Sequence, residues 1–287
     1  MISNLSLSAD NSLKIRIVQI DIGWISSITK RIFFNAKALY KTSTKNSFTH
    51  NLGRIFMKIG ILQTGFVPEP LMEKHGSYSS MFEQLLDGHG FTFETFVVAE
   101  GDFPTSVSSC DGWIVTGSAF GAYEDHAFIP PLEDFIRANY KADVPMAGIC
   151  FGHQIMAQAL GGKVEKFSGG WGVGYTNYEM PDKKRAILAM HQDQVVEKPA
   201  DANVIASTDF CKNAGLAYRG KAISFQPHPE FTPDYMRDLI NYKLDAGTLP
   251  KEIGEAALEA IGKDNDSLEV ARQLAEFFIA AKAEKAA

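Results

Sequence analysis

Residues 147–154 read AGICFGHQ, and this stretch decides the fold. An apolar run at 144–149 predicts a buried strand, and the stretch 152–160 predicts a helix that the glycine pair at 161–162 ends. Cys150 stands at the junction. A strand that passes directly into a helix is the building unit of a parallel sheet covered by helices. We therefore expect an α/β fold with Cys150 at the carboxyl edge of its sheet.

The same alternation of apolar and amphipathic stretches extends through the chain from Met57. It predicts strands at 58–63, 91–98 and 112–116, and helices at 78–87, 131–140, 231–244 and 267–281. Between 163 and 225 the chain has short strand-like pieces and no long helix, which indicates hairpins and returning strands. The expected fold is an open, mostly parallel sheet with helices on both faces and added antiparallel hairpins.

The charge is distributed unevenly along the chain. Residues 1–56 contain eight Lys and Arg and two acids, net +6, whereas the whole chain has a formal net charge of −6, so the remainder carries −12. This break near Met57 predicts a basic N-terminal extension, 1–56, and a folded domain, 57–287. The extension lacks an amphipathic period, which favours a disordered tail or upstream sequence translated from an early start codon.

The alternative for residues 1–56 is an organellar presequence, because the segment is rich in Ser, Thr and basic residues and poor in acids. We expect a cytoplasmic protein, or an organellar one if these residues are a genuine presequence. The three cysteines, Cys110, Cys150 and Cys211, form no CxxC pair, which fits a reducing compartment and disfavours a disulfide framework.

Composition also excludes several classes of partner. The net negative charge gives no support for nucleic-acid binding. No apolar run approaches the ~18 residues of a membrane-spanning helix. The spacing of the histidines and carboxylates matches no metal motif. The sequence therefore predicts no metal, no cofactor, no membrane span and no nucleic-acid partner.

Cys150 has the surroundings of a nucleophile elbow. Gly148 and Gly152 stand two residues to either side, as a sharp strand-to-helix turn requires where backbones approach closely. The helix N-terminus favours the thiolate over the thiol. The amide of Phe151 is free to donate to a developing oxyanion. This stretch alone is equally typical of a buried structural cysteine beside a glycine-rich turn.

A second motif, QPHPE at 226–230, follows the apolar run 222–225. Two prolines hold His228 rigidly at the end of a predicted strand. Glu230 can reach one imidazole nitrogen if the chain stays extended, and the other nitrogen would then face the sulfur of Cys150. The two motifs together predict a cysteine nucleophile with a histidine base and an orienting carboxylate.

The motifs GICFGHQ (148–154), TGS (116–118) and HPE (228–230) together resemble the class I, or triad, glutamine amidotransferases. The resemblance covers 57–230 and implies the fold of that family, with a flavodoxin-like core. It also implies its chemistry, in which the cysteine attacks the side-chain amide of glutamine, ammonia leaves, and water hydrolyses a γ-glutamyl thioester.

The resemblance implies a role for each matching residue. Cys150 is the nucleophile, His228 the general base and then acid, and Glu230 its orienting partner. The oxyanion donors correspond to the backbone of Phe151 and Gly117.

The substrate pocket is implied in less detail. Gln154 matches a residue that helps to hold the substrate glutamine, and Ser118 belongs to the TGS motif. The stretch 190–195 (MHQDQV) resembles the HGDxV segment of the GMP-synthetase amidotransferase domain, which lines the glutamine pocket through backbone contacts, so the resemblance implies substrate contacts at His191 and Gln192. That domain has glycine where this chain has Gln192, so the contact there departs from the family pattern.

Three functions are compatible with these motifs. The first is a stand-alone glutamine amidotransferase that binds glutamine and releases ammonia, with a separate synthetase subunit as a partner, because only about 57 residues follow Glu230 and no ATP-binding motif occurs. The second is a γ-glutamyl peptidase-like hydrolase of γ-glutamyl amides such as glutathione conjugates. The third is a non-catalytic regulatory or binding module, which an intact Cys150–His228–Glu230 set disfavours.

Overall fold

A computed structural model describes residues 57–219 and 221–286. The predicted N-terminal extension, 1–56, lies outside the described residues. Within the described residues, none of the helices is both long and apolar enough to cross a bilayer.

The described residues contain eleven strands and seven α-helices. The strands are β1 (Met57–Leu62), β2 (Phe91–Phe96), β3 (Gly112–Val115), β4 (Met146–Ile149), β5 (Lys163–Lys166), β6 (Gly172–Glu179), β7 (Lys184–His191), β8 (Asp193–Glu197), β9 (Ala202–Ala206), β10 (Gly215–Tyr218) and β11 (Ala222–Phe225). The helices are α1 (Glu69–His75), α2 (Tyr78–Leu85), α3 (Ile129–Lys141), α4 (Phe151–Ala159), α5 (Pro233–Asp245), α6 (Lys251–Ala260) and α7 (Ser267–Ala286).

The central sheet has seven strands in the order β2-β1-β3-β4-β11-β10-β9. The first five are parallel to one another, and β10 is antiparallel to both β11 and β9. Two antiparallel pairs, β6 with β7 and β5 with β8, lie outside this sheet. The predicted mostly parallel sheet with added hairpins is therefore confirmed.

Helices cover both faces of the sheet. Successive strand residues point to opposite sides, and in central strands such as β3 both sets of side chains are apolar and must be buried. In β3, Trp113 and Val115 face the cluster that includes α3 and α4, whereas Ile114 faces the cluster that includes α2 and α7. Strands buried on both faces read as continuous apolar runs, which is why the sequence predicted them well.

Two helices were not predicted. Helix α1 has no buried residue. Helix α6 buries only Gly254 and Ala257, although Ile253, Ala257 and Ile261 recur at helical spacing. Helix α3 begins at Ile129 rather than at Pro131, because both Pro130 and Pro131 fit in its first turn.

Three neighbouring strands end at the same edge of the sheet. Strand β3 leads into residues 116–118, β4 leads into Cys150, and β11 leads into residues 226–230. Because these strands are parallel, their carboxyl ends bring together segments that are far apart in the sequence. This edge carries the candidate site.

The turn after β4 requires the absence of a side chain at Gly152. A Cβ there would lie 2.8 Å from the carbonyl carbon of Val115, and closer still to its oxygen. We expect Gly152→Ala to lower the free energy of unfolding by at least about 1 kcal/mol, because overpacking against backbone outweighs alanine's better helix propensity. Urea denaturation measures this. Gly262→Ala is the control, since no atom lies within 4 Å of its added Cβ; equal effects at the two positions would contradict the prediction.

Candidate active site

Cys150 occupies a strained turn between β4 and α4. Its φ and ψ are 53° and −105°, in the left-handed half of the backbone map that non-glycine residues rarely adopt. Such a conformation costs about 1–3 kcal/mol and persists only where the surroundings enforce it. Two hydrogen bonds do so here: Cys150 N–H donates to the Phe225 carbonyl (2.8 Å), and Gly152 N–H donates to the Thr116 carbonyl (3.1 Å).

His228 connects Cys150 to Glu230. Its Nδ1 lies 2.7 Å from Glu230 Oε1, and its ring also hydrogen-bonds the Cys150 sulfur. The side chains of His228 and Glu230 are only 4% and 1% exposed, so the pair is shielded from water. The structure thus brings the three predicted triad residues into one hydrogen-bonded chain, and their catalytic roles stay predictions.

Burial and charge act in opposite directions on His228. Burial disfavours the imidazolium, but the charges and hydrogen bonds of Glu230 and Cys150 outweigh it and raise the pKa of His228. The imidazolium is therefore held between a carboxylate and the sulfur. In this state His228 has a proton ready for a leaving amine.

Backbone and aromatic contacts fix the orientation of the imidazole. His228 N–H donates to the Leu188 carbonyl of β7 (2.8 Å), and the Phe231 ring stacks on the imidazole with 3.9 Å between centroids and 6° between planes. Behind Glu230 the hydroxyl of Tyr235 donates to that of Tyr78 (3.3 Å). Burial and the charges of Cys150 and Glu230 raise the pKa of Tyr78 to about 12, so the Tyr78 hydroxyl keeps its proton at neutral pH.

Signals for these supporting residues in the sequence are weak. Phe231 directly follows the HPE motif, and that adjacency is the available clue to its stacking on His228. Tyr78 begins helix α2 within an amphipathic pattern, so it reads as an ordinary core residue.

The two predicted oxyanion donors lie beside the cysteine. A Cβ on Gly117 would be 3.6 Å from the Cys150 Cβ and 2.9 Å from the His228 ring, so the backbone of Gly117 adjoins both side chains. The amides of Gly117 and Phe151 donate to no other described residue, whereas that of Gly152 is occupied. Both free amides can therefore donate to a substrate oxygen.

The predicted pocket residues have protein partners. Gln154 donates through Nε2 to the Asp193 carbonyl (2.9 Å) and to Gln226 Oε1 (3.1 Å). His191 also contacts the Asp193 carbonyl, through Nδ1 (3.2 Å). The Gln192 carbonyl accepts from the Phe167 amide (3.3 Å). Gln154 and His191 thus hold the start of β8 in position, and their contact with substrate stays a prediction.

Ser118 lies on the loop that follows β3. Its hydroxyl accepts a hydrogen bond from Phe120 N–H (3.2 Å), a contact within its own loop, so its role in substrate binding also stays a prediction.

Among residues 57–219 and 221–286, no group of three or more His, Cys, Asp and Glu side chains is arranged to hold a metal ion. The other two cysteines, Cys110 and Cys211, are free and buried, and burial raises the pKa of each thiol, that of Cys110 to about 11 and that of Cys211 to about 12.

Comparison with known proteins identifies the family. The family model described as glutamine amidotransferase class-I matches residues 71–243, more than half of the chain. The chain is a class-I glutamine amidotransferase family member. A solved family structure, a glutamine amidotransferase from Methylobacillus flagellatus, has the same fold with a TM-score of 0.62 at 19% identity, over 79% of this chain and 93% of that one.

Two kinds of family member are similar in sequence. Gamma-glutamyl peptidase 4 of Arabidopsis thaliana is 28% identical over 207 residues, which cover 66% of this chain and 82% of the relative. A GMP synthase (glutamine-hydrolyzing) of Clostridium tetani is 37% identical over 114 residues, which cover 36% of this chain and 22% of the relative.

The buried histidines predict a loss of stability in acid. Burial lowers the pKa of His191 to about 4 and that of His153 to about 3, from an ordinary value of 6.5. The unfolded chain therefore binds more protons than the folded one below pH 6.5, and stability falls as the pH drops from there toward 4. For His191 the loss between pH 7 and 5 is about 2 kcal/mol.

We expect His191→Asn to remove that share of the pH dependence, because asparagine keeps an N–H donor for the Asp193 carbonyl but does not titrate in this range. Urea denaturation at pH 7 and pH 5 measures it. His89→Asn, at a partly exposed histidine, is the control. An unchanged difference between the two pH values in His191→Asn would refute the assignment of a neutral buried imidazole.

Proposed function

We propose that this chain hydrolyses a γ-glutamyl amide bond through a thioester on Cys150. The observation that carries the proposal is the buried His228, which hydrogen-bonds both Glu230 and the sulfur of the strained turn. A charged histidine between a carboxylate and a cysteine is the arrangement that activates a thiolate and then protonates a leaving amine.

In the first half-reaction the Cys150 sulfur attacks the γ-carbonyl carbon. The amides of Phe151 and Gly117 donate to the oxyanion that develops on the carbonyl oxygen. The C–N bond breaks as His228 gives its proton to the leaving nitrogen, which departs as an amine or as ammonia. The γ-glutamyl group remains as a thioester.

In the second half-reaction water attacks the thioester carbon. His228, now neutral, takes a proton from the water, and the C–S bond breaks to release glutamate and restore the thiolate. Glu230 holds the imidazole in the tautomer that both steps need. The overall reaction consumes one γ-glutamyl amide and one water.

γ-Glutamyl peptides are the substrate class that the comparisons favour. Gamma-glutamyl peptidases 4 and 2 of Arabidopsis thaliana are 28% and 26% identical to this chain, over 82% and 84% of their own lengths. A match over most of a relative extends beyond the triad motifs, and this supports a similar substrate.

Free glutamine is the second candidate substrate. The ammonia released from it would pass to an acceptor compound bound by a synthetase subunit. The higher identity to the glutamine-hydrolyzing GMP synthase of Clostridium tetani, 37%, supports it. That match covers only 22% of the synthase. The third candidate, a non-catalytic binding module, predicts that neither compound is turned over.

The decisive experiment compares two substrates on one protein. Ammonia release from glutamine and amino-acid release from a γ-glutamyl dipeptide are measured for the wild type and for Cys150→Ala and Glu230→Gln. We expect Cys150→Ala to lose at least about 10³-fold in kcat, and Glu230→Gln about 10²–10⁴-fold, because the second change removes the negative charge that stabilises the imidazolium.

Cys110→Ala is the matched control, since it removes another buried thiol outside the site and should leave kcat unchanged within about twofold. Turnover that survives Cys150→Ala would overturn the mechanism. Cleavage of the dipeptide with none of glutamine would reject the second candidate, and the converse would reject the first. A wild type inactive on both would support the binding module.

A further inference from the structure

Lys243 is a lysine whose charge has no counterion among the described residues. It lies on α5, half-buried, with its Nζ 5.5 Å from the centre of the Trp171 ring. Its ammonium forms no ion pair or hydrogen bond with another described residue. An ammonium loses water when it is buried, and a Trp face restores only part of that interaction. Such a cation is suited to an anionic ligand.

The contact with Trp171 connects this cation to the β6–β7 hairpin, which contacts His228. Trp171 immediately precedes Gly172, which pairs with His191 across the β6–β7 hairpin, and a Cβ on Gly172 would lie 2.9 Å from the His191 ring. Strand β7 continues to Leu188, whose carbonyl accepts from His228 N–H. Trp171 therefore lies on the hairpin that supports the catalytic histidine.

Electrostatics give a second indication of proximity. Burial lowers the pKa of Lys243, and the charge of Cys150 opposes that effect. The ammonium is therefore within electrostatic reach of the sulfur while being partly withdrawn from water. A ligand that reaches from Cys150 toward the Trp171 ring would meet this charge.

We propose that Lys243 binds a carboxylate of the substrate while the scissile amide lies at Cys150. This inference rests on the proposed function and adds a substrate-binding residue to it. Every γ-glutamyl compound carries an α-carboxylate on its glutamyl half, and a γ-glutamyl peptide carries a second, C-terminal carboxylate on its leaving half. Either group supplies the same chemistry, so the experiment must separate them.

The first test uses Lys243→Gln and Lys243→Arg with three substrates: glutamine, a γ-glutamyl dipeptide, and the same dipeptide with its C-terminus amidated. We expect Lys243→Gln to raise KM by about tenfold or more on its cognate carboxylate, with kcat changed much less, and Lys243→Arg to restore most of the loss. A loss on every substrate that the wild type cleaves, the amidated dipeptide included, identifies the α-carboxylate. A loss confined to the free-acid dipeptide identifies the C-terminal carboxylate.

Lys263→Gln is the matched control. Its ammonium also lies 5.5 Å from an aromatic ring centre, that of Tyr175 on the same hairpin, but Lys263 is exposed. We expect its KM values to stay within about twofold of the wild type. Equal KM values for wild type and Lys243→Gln on every substrate cleaved would overturn the proposal and leave the thioester mechanism standing.

A second test does not depend on turnover. N-ethylmaleimide and 3-maleimidopropionate have the same reactive group, but only the second carries a carboxylate. Mass spectrometry follows the modification of Cys150 by each. We expect Lys243→Gln to lower the rate ratio of the charged to the neutral reagent by about threefold or more, with Lys263→Gln unchanged. An unchanged ratio would contradict the proposal even if the wild type cleaved no γ-glutamyl compound.

Discussion

The hydrogen bond from Cys150 N–H to the Phe225 carbonyl is the interaction on which the site depends. It joins the end of β4 to the end of β11 at the point where the backbone leaves the sheet. With the bond from Gly152 to Thr116, it holds the cysteine in a conformation that the chain would otherwise avoid. The sheet therefore determines both the direction of the sulfur and its distance from His228.

Two buried histidines of this region have pKa values shifted in opposite directions. Among the described residues, the ring of His191 hydrogen-bonds only a backbone carbonyl, so the loss of water dominates and the ring stays neutral. His228 is buried as deeply but lies between Glu230 and Cys150, whose charges stabilise the imidazolium. A neutral imidazole serves as a structural donor, and a charged one can protonate a leaving group. The difference between the pKa values of the two histidines therefore comes from their neighbouring groups and not from their depth of burial.

The sequence predicted the fold and the proximity of Cys150, His228 and Glu230, because both depend on local signals. Apolar runs marked the buried strands, and the two motifs followed strands that end at one edge. The β7 support of His228 and the pairing of Trp171 with Lys243 could not be predicted, because each joins segments through tertiary packing that leaves no periodic pattern. The stacking of Phe231 on His228 left only its adjacency to the HPE motif as a clue. Helices α1 and α6 escaped prediction because they bury almost no large apolar side chain.

The position of β11 beside β4 has a consequence for synthesis of the protein. The strand that leads to His228 is made more than 70 residues after Cys150, and the two meet only when the sheet closes over that long connection. A nascent chain that ends before residue 222 therefore carries Cys150 without the histidine that we propose as its base. Under the proposed mechanism, an incomplete chain emerging from the ribosome would not yet be able to cleave a substrate.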